Sequence, residues 1–149
     1  MVDLVHSLAI LMPFYLVLDA YYAGQRMVHG LLNSGNHLIT HVRKNVVAYW
    51  PAVSSEKRRG PKRKYGQKVK LRTLFQDVSS FIEAPSPVYG ETHVMIRYRP
   101  FDLLWRPVGM VVRFVLVIHP QHGSKIFMTT DLPLLPMDIF RITLHCCIS

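Results

Sequence analysis

Apolar residues recur at Val2, Val5, Leu8, Ala9 and Met12, a helical rhythm that Pro13 brings to a stop. Phe14 to Leu18 then runs on without a polar break. No charge occurs from Leu8 to Leu18, Asp19 is the first acid after that run, and the next acid is Glu56. A short unbroken apolar run that ends at a polar residue and then reaches Gly24 predicts a strand covered on both faces. Gly24 opens a second helix through about Asn33, with Met27, Val28, Leu31 and Leu32 as its apolar stripe. Gly35 supplies the left-handed residue that a helix C-terminus favours. His37 to Val42 alternates as a strand should, which completes a strand–helix–strand unit whose default is parallel pairing.

The character changes after Pro51. Residues 51–66 form a loop punctuated by Pro, Gly and Ser and rich in cations. Lys68, Lys70 and Arg72 alternate with Val69, Leu71 and Thr73, predicting a half-exposed strand over 68–73. Pro85, Pro87 and Gly90 mark turns. Further strands are predicted at His93–Tyr98, Met110–Ile118 and Lys125–Thr130, with His119-Pro-Gln-His-Gly123 turning between the last two. Pro136 starts a final helical turn. The expected organisation is an α/β beginning over 1–50, a basic loop over 51–66, an antiparallel β-rich insertion over 67–131 and a closing helical segment over 132–149. No internal repeat is visible.

Length bounds this to one ordinary domain, at 149 residues. With 50% hydrophobic residues, disorder throughout is excluded. Charge alters the picture more. The net charge is +9, and nine of the 18 Lys and Arg residues lie between Lys57 and Arg72 with no acid from Glu56 to Asp77. A block of that kind favours a polyanionic partner, nucleic acid or an anionic membrane surface; a solvated basic loop without a ligand is its alternative and, for a lone charge run, the commoner one. Cys146 and Cys147 are adjacent, so they neither staple the fold nor give metal-ligand spacing, and a reduced cytoplasmic setting fits. The apolar stretch Val2–Leu18 is interrupted by Asp3 and His6, lacks a basic leader and is too short to span a membrane; it reads as core, with a signal peptide the weaker reading.

Asp19 is the candidate for chemistry, since ligands and reactions gather at the carboxyl ends of strands in open α/β sheets. Capping the next helix is its ordinary alternative. The eight histidines, His6, His29, His37, His41, His93, His119, His122 and His145, fall in different predicted elements. His37 and His41 lie four apart on a strand, unlike the helical spacing of zinc sites, and His119 and His122 share a turn without an evident third ligand; structural zinc is not expected. No hydrolase elbow or Gly-rich phosphate loop is present. Tyr21, Tyr22, Tyr49, Trp50, Tyr65 and Trp105 are read as core or loop anchors rather than base-stacking platforms.

Four segments carry a resemblance: Leu16-Val-Leu-Asp-Ala-Tyr-Tyr-Ala23, Leu38-Ile-Thr-His-Val-Arg-Lys-Asn45, Arg58-Arg-Gly-Pro-Lys-Arg-Lys-Tyr-Gly66, and Met128-Thr-Thr-Asp-Leu-Pro-Leu-Leu-Pro-Met-Asp-Ile-Phe-Arg-Ile142. In this order, over roughly residues 14–142, the chain resembles the DDE-type transposases of bacterial insertion sequences. The resemblance implies a partial RNase H-like α/β fold with a β-strand insertion, in the bacterial cytosol. In that family three carboxylates hold two divalent metals, Mg²⁺ or Mn²⁺, that cut and rejoin DNA. Asp19 matches the second of the three, as catalytic residue and metal ligand. Arg43, Lys44, Lys57, Arg58, Arg59, Lys62, Arg63, Lys64, Lys68, Lys70 and Arg72 would contact DNA phosphates, positioning the duplex without reading its sequence.

The family's first acid would precede Met1, and its third, a Glu in a Tyr-x-x-Arg-x-x-x-Glu helix, would follow Ile142, where the chain instead reads Thr-Leu-His-Cys-Cys-Ile-Ser. The expectation is therefore a transposase fragment truncated at both ends. One carboxylate does not hold a metal pair, so alone it should bind DNA without cutting it and hold no metal tightly. Asp131 is the nearest stand-in for a second ligand, with a turn or cap role favoured over it. The expected partners are DNA and a full-length transposase, and no membrane. The competing reading is a basic module that binds nucleic acid or a membrane surface without catalysis, and a third is a decayed product that folds poorly.

Overall fold

The computed structural model describes residues 14–19, 24–53, 60–61, 63–88 and 90–148. The predicted helix over 2–12 lies outside these, as do Tyr21, Tyr22, Lys57, Arg58, Arg59 and Lys62. Among the described residues eight strands and two α-helices follow in the order β1 (Tyr15–Asp19), α1 (Gln25–Asn33), β2 (His37–Val42), β3 (Val47–Pro51), β4 (Tyr65–Lys70), β5 (Ile82–Pro85), β6 (Met95–Trp105), β7 (Met110–His119), β8 (Gly123–Thr129) and α2 (Pro136–Ile148). The class is mixed α and β but dominated by strands.

One sheet holds all eight strands, in the order β1-β2-β8-β7-β6-β3-β4, with β5 paired to β6 off that path. The β1–β2 pair is parallel, as the strand–helix–strand pattern predicts, and every other pair is antiparallel. Helix α1 ends where Gly35 adopts φ +74°, which lets the Asn36 amide return to the Leu31 carbonyl at 2.9 Å.

The sheet must curl. Three strands separate β2 from β3 in the hydrogen-bonded order, so in a flat sheet they would stand about 19 Å apart at ~4.8 Å per strand. Only residues 43–46 join them, and Val46 N–H closes a turn on the Arg43 carbonyl at 3.2 Å. Even fully extended, five Cα steps span at most about 18 Å. The two ends of the sheet therefore bend toward each other, and Val42 of β2 and Ala48 of β3 share one apolar cluster. That cluster fills the inner face with Met27, Val28 and Leu31 of α1 against Leu38, Leu103, Trp105, Phe114, Leu116 and Met128. The outer face carries a smaller cluster in which Ile139 and Phe140 of α2 cover Ile39, Ile96, Val115, Val117 and Phe127.

Several expectations change. Strand β1 touches both clusters, Leu16 on the inner face and Val17 on the outer, yet both are only half-buried and Tyr15 is exposed, because among the described strands β1 is at the edge of the sheet rather than central. The strand predicted over 68–73 stops at Lys70. Leu71 turns inward, fully buried, and its amide donates to the Val46 carbonyl at 3.1 Å, so 71–76 winds into a 3-10 helix. Two short strands escaped the pattern: β3, which is half-buried without clean alternation, and β5, which ends in a proline. Strand β6 runs far beyond Tyr98, through Pro100. The proline is tolerated because β5 reaches only Tyr98 and β3 meets β6 only at Leu104, so on that flank no ladder bond is lost.

Candidate nucleic-acid interface

Three chain segments with predicted site residues meet at one end of the sheet. Asp19 closes β1 and pairs in register with His41, two residues before Arg43. Arg43 and Lys44 lie in the turn after β2, both exposed. The bond from Leu71 N–H to the Val46 carbonyl ties that turn to Lys70 and Arg72 at the end of β4. Lys68 stands beside Tyr49 and Lys70 beside Val47 across the β3–β4 pair, so the two lysines project from one face of the outermost strand. Arg63 and Lys64 precede β4 and are exposed, and Lys64 donates to the Gly109 carbonyl while its ammonium lies 5.8 Å from the Tyr65 ring.

Pairing divides the cations into two groups. Arg97 is bonded to Glu83, Arg99 to Asp77, Arg113 to Asp102 through two bonds of 2.8 and 2.9 Å, and Arg141 to Asp138. The Asp102 carboxylate holds the Arg113 guanidinium above its ordinary pKa. By contrast, Arg43, Lys44, Arg63, Lys68, Lys70 and Arg72 make no ion pair among the described residues, and neither do the more scattered Arg26, Arg106 and Lys125. All six of the stripe's side chains are exposed.

An open groove of about 410 Å³ runs along this surface, lined by Trp50, Gln67, Lys68, Val69, Lys70, Thr73 and Leu74. Trp50 is 39% exposed there, its ring edge against Phe101. The other predicted anchors among the described residues pack as anchors. Trp105 is buried against Phe114, and Tyr49 and Tyr65 pack at 5.2 Å beneath the Arg106 guanidinium. Gly66 is required where β3 bulges, since a Cβ there would meet the Trp50 carbonyl oxygen at 2.7 Å.

Among the described residues, no other carboxylate is brought to the end of β1 that Asp19 closes. Asp131 accepts a 2.6 Å bond from the Tyr15 hydroxyl and lies 4.0 Å from His37 Nε2, at the opposite end of β1 from Asp19. That bond, with burial second, raises the Tyr15 hydroxyl from 10.0 to about 12. Asp131 is thus a strand-end tie, as a turn role would have it, and not a second ligand. Asp77, Glu83, Asp102 and Asp138 are committed to the arginines named above. A two-metal carboxylate set does not fit these described residues.

One constellation was not legible in the sequence. His119, the last residue of β7, and His122, in the turn to β8, meet Glu91 from the loop before β6. Glu91 lies 28 positions from His119 in a stretch that reads only as turns, so no local spacing announces it. His119 Nε2 is 3.0 and 3.1 Å from the two Glu91 oxygens, and Ser86 donates to the same carboxylate. These bonds, the His119 one foremost, hold the Glu91 carboxyl below its ordinary pKa. His119 Nδ1 accepts the amides of Gln121 and His122 at 3.0 and 3.1 Å, so the ring hydrogen sits on Nε2. The remaining described histidines are not brought together with them: His37 contacts Thr130, and His41 sets its ring edge against Phe127.

Among the described residues no helix is long and apolar enough to cross a membrane. No protein-family model, curated protein or solved structure matches the chain.

Proposed function

We propose that the chain is a DNA-binding protein of the DDE transposase type, which grips the phosphate backbone through its unpaired cations and does not cut DNA by itself. The observation that carries the binding is the segregation of charge. Arginines on β6, β7 and α2 are matched to acids, whereas Arg43 and Lys44 after β2 and Lys68, Lys70 and Arg72 along β4 are unmatched and joined by the Leu71–Val46 bond. A stripe of exposed cations with no acid between them attracts a polyanion and releases its counterions, whatever the base sequence.

The parallel β1–β2 pair joined through α1 supports the RNase H-like reading, in which Asp19, the last residue of β1, would be the second acid. The family's two-ion chemistry requires further carboxylates beside it, and the described acids are bonded elsewhere. Mg²⁺ or Mn²⁺ therefore belongs to an assembly that supplies the missing ligands, such as one with a full-length transposase in the bacterial cytosol.

Fluorescence anisotropy on two duplexes of unrelated sequence tests the reading. Replacing Arg43, Lys44, Lys70 and Arg72 by Gln should weaken binding to both duplexes by the same factor. Undiminished affinity, or a loss confined to one duplex, would overturn it.

A further inference from the structure

The Glu91, His119 and His122 cluster lies apart from the cationic stripe, and its geometry asks for a ligand of a different kind. Its ligand atoms all fall within 4.8 Å of one another. The carboxylate–imidazole separations are 3.0 and 3.1 Å for His119 and 3.6 Å for His122. Around a tetrahedral ion with bonds of ~2.0–2.1 Å, neighbouring ligand atoms stand about 3.3 Å apart. The two carboxylate–imidazole edges bracket that spacing, and the third edge, between the imidazoles, is within 4.8 Å.

Exposure is graded across the cluster. The His119 side chain is 4% exposed, Glu91 16% and His122 62%. Two ligands are thus anchored in the protein, one by Ser86 and one by the turn amides, while the third stands at the mouth. A fourth position would open to water beside His122, where an ion can enter. Two imidazoles with one carboxylate suit a borderline cation, whereas Mg²⁺ and Ca²⁺ want oxygen ligands throughout.

We propose that Glu91, His119 and His122 form a site for a divalent transition-metal ion of the Zn²⁺ class, held by two imidazole nitrogens and a carboxylate with water in the open position. Loading has a specific cost that the hydrogen bonds reveal. In the metal-free protein the Nε2 hydrogen of His119 is donated to Glu91, and Nδ1 accepts two amides. A neutral imidazole that gives Nε2 to a metal must carry its hydrogen on Nδ1. The Nε2–H bond therefore breaks, the metal–Nε2 bond forms, and a proton is returned from solvent to Nδ1 with no net change in the ring's charge. The new Nδ1–H faces two donors, so the Gln121 and His122 amides are released. The metal-free cluster is a hydrogen-bonded staple; the loaded one exchanges two turn bonds for an ion.

Zn²⁺ titration of the full chain by calorimetry at pH 7.5, with Cys146 and Cys147 changed to Ser so that thiols do not compete, tests the site. One saturable ion per chain is expected, and His122→Ala, at an exposed position that the fold does not need, should weaken it by at least about tenfold. Amide hydrogen exchange supplies the second readout: Zn²⁺ should speed exchange at Gln121 and His122 while leaving β7 protected. Absence of a saturable ion, equal affinity in His122→Ala, or binding that leaves both turn amides protected would each overturn the proposal.

Discussion

Neutralising Lys68, Lys70 and Arg72 together, as Lys68→Gln, Lys70→Gln and Arg72→Gln, gives the cationic stripe a quantitative test. All three side chains are exposed and unpaired among the described residues, so their loss should leave the fold within about 0.5 kcal/mol. If each of Arg43, Lys44, Lys68, Lys70 and Arg72 neutralises one phosphate, their joint contribution to the slope of log affinity against log salt is roughly −4.5, at about −0.9 per contact. Between 50 and 200 mM salt, that contribution alone lowers affinity about 500-fold. The triple variant should retain roughly −1.8 of it, a loss of about 12-fold over the same range. Lys57, Arg58, Arg59 and Lys62 add to the slope of both proteins, so the difference of about 2.7 is what the assay must read. Arg97→Gln with Arg141→Gln serves as the control, since these cations are already matched to Glu83 and Asp138 and should leave the slope alone. Anisotropy at five salt concentrations on one duplex suffices. A slope that moves by less than one unit in the triple variant, or that moves equally in the control, would refute phosphate contact along β4.

Other outcomes follow from packing and protonation. Phe114→Ala, removing a fully buried ring from the middle of β7, should cost about 3–5 kcal/mol in chemical denaturation, whereas an equal loss at exposed Trp50 would contradict the assignment of the core. Gly66→Ala should destabilise by about 1–3 kcal/mol and loosen β4, since the new methyl meets the backbone of Trp50 and Pro51; an unchanged melting temperature would mean that the bulge is not tightly formed. The Glu91 carboxyl is lowered in the folded chain, so its stabilising contribution is present above its unfolded pKa of 4.5 and disappears as pH falls through the folded value; Glu91→Gln should flatten the acid limb of a stability-against-pH curve. Tyr15 runs the other way. Raised from 10.0 to about 12, it contributes stability that is full below pH 10 and is lost as pH rises toward 12, so Tyr15→Phe should remove that alkaline loss, and an identical alkaline limb would deny the bond to Asp131.

What the chain reveals by reading depends on how far apart the interacting residues are. Helix α1, strand β2 and their parallel pairing with β1 follow from apolar spacing and one left-handed glycine, all within residues 14–42, because local rhythm and a short crossover carry that information. The β7–β8 hairpin is legible for the same reason. Burial of β1 is misread because a strand's apolar content reports what could be covered, not its place at an edge. Strands β3 and β5 are missed because each exists through a partner distant in sequence: β5 lies along the start of β6, and β3 is held between β4 and a single ladder pair with β6, Tyr49 beside Leu104.

The site divides along the same line. A run of cations is visible in sequence, but which of them are free is decided by acids arriving from other strands. Asp77, Glu83 and Asp102 claim Arg99, Arg97 and Arg113 at separations no local pattern encodes. Glu91 meets His119 by the same route. Tertiary pairing thus removes cations from one part of the surface and leaves them on another, and the curl that brings the turn after β2 against the end of β4 gathers the remainder. Phosphate binding on this protein would be a property of the folded sheet, so unfolding should abolish its geometry while leaving the net charge of +9 intact. A heat-unfolded or urea-unfolded chain that binds duplex DNA with the affinity and salt slope of the folded one would show that charge alone suffices and that the arrangement of Arg43, Lys44, Lys70 and Arg72 adds nothing.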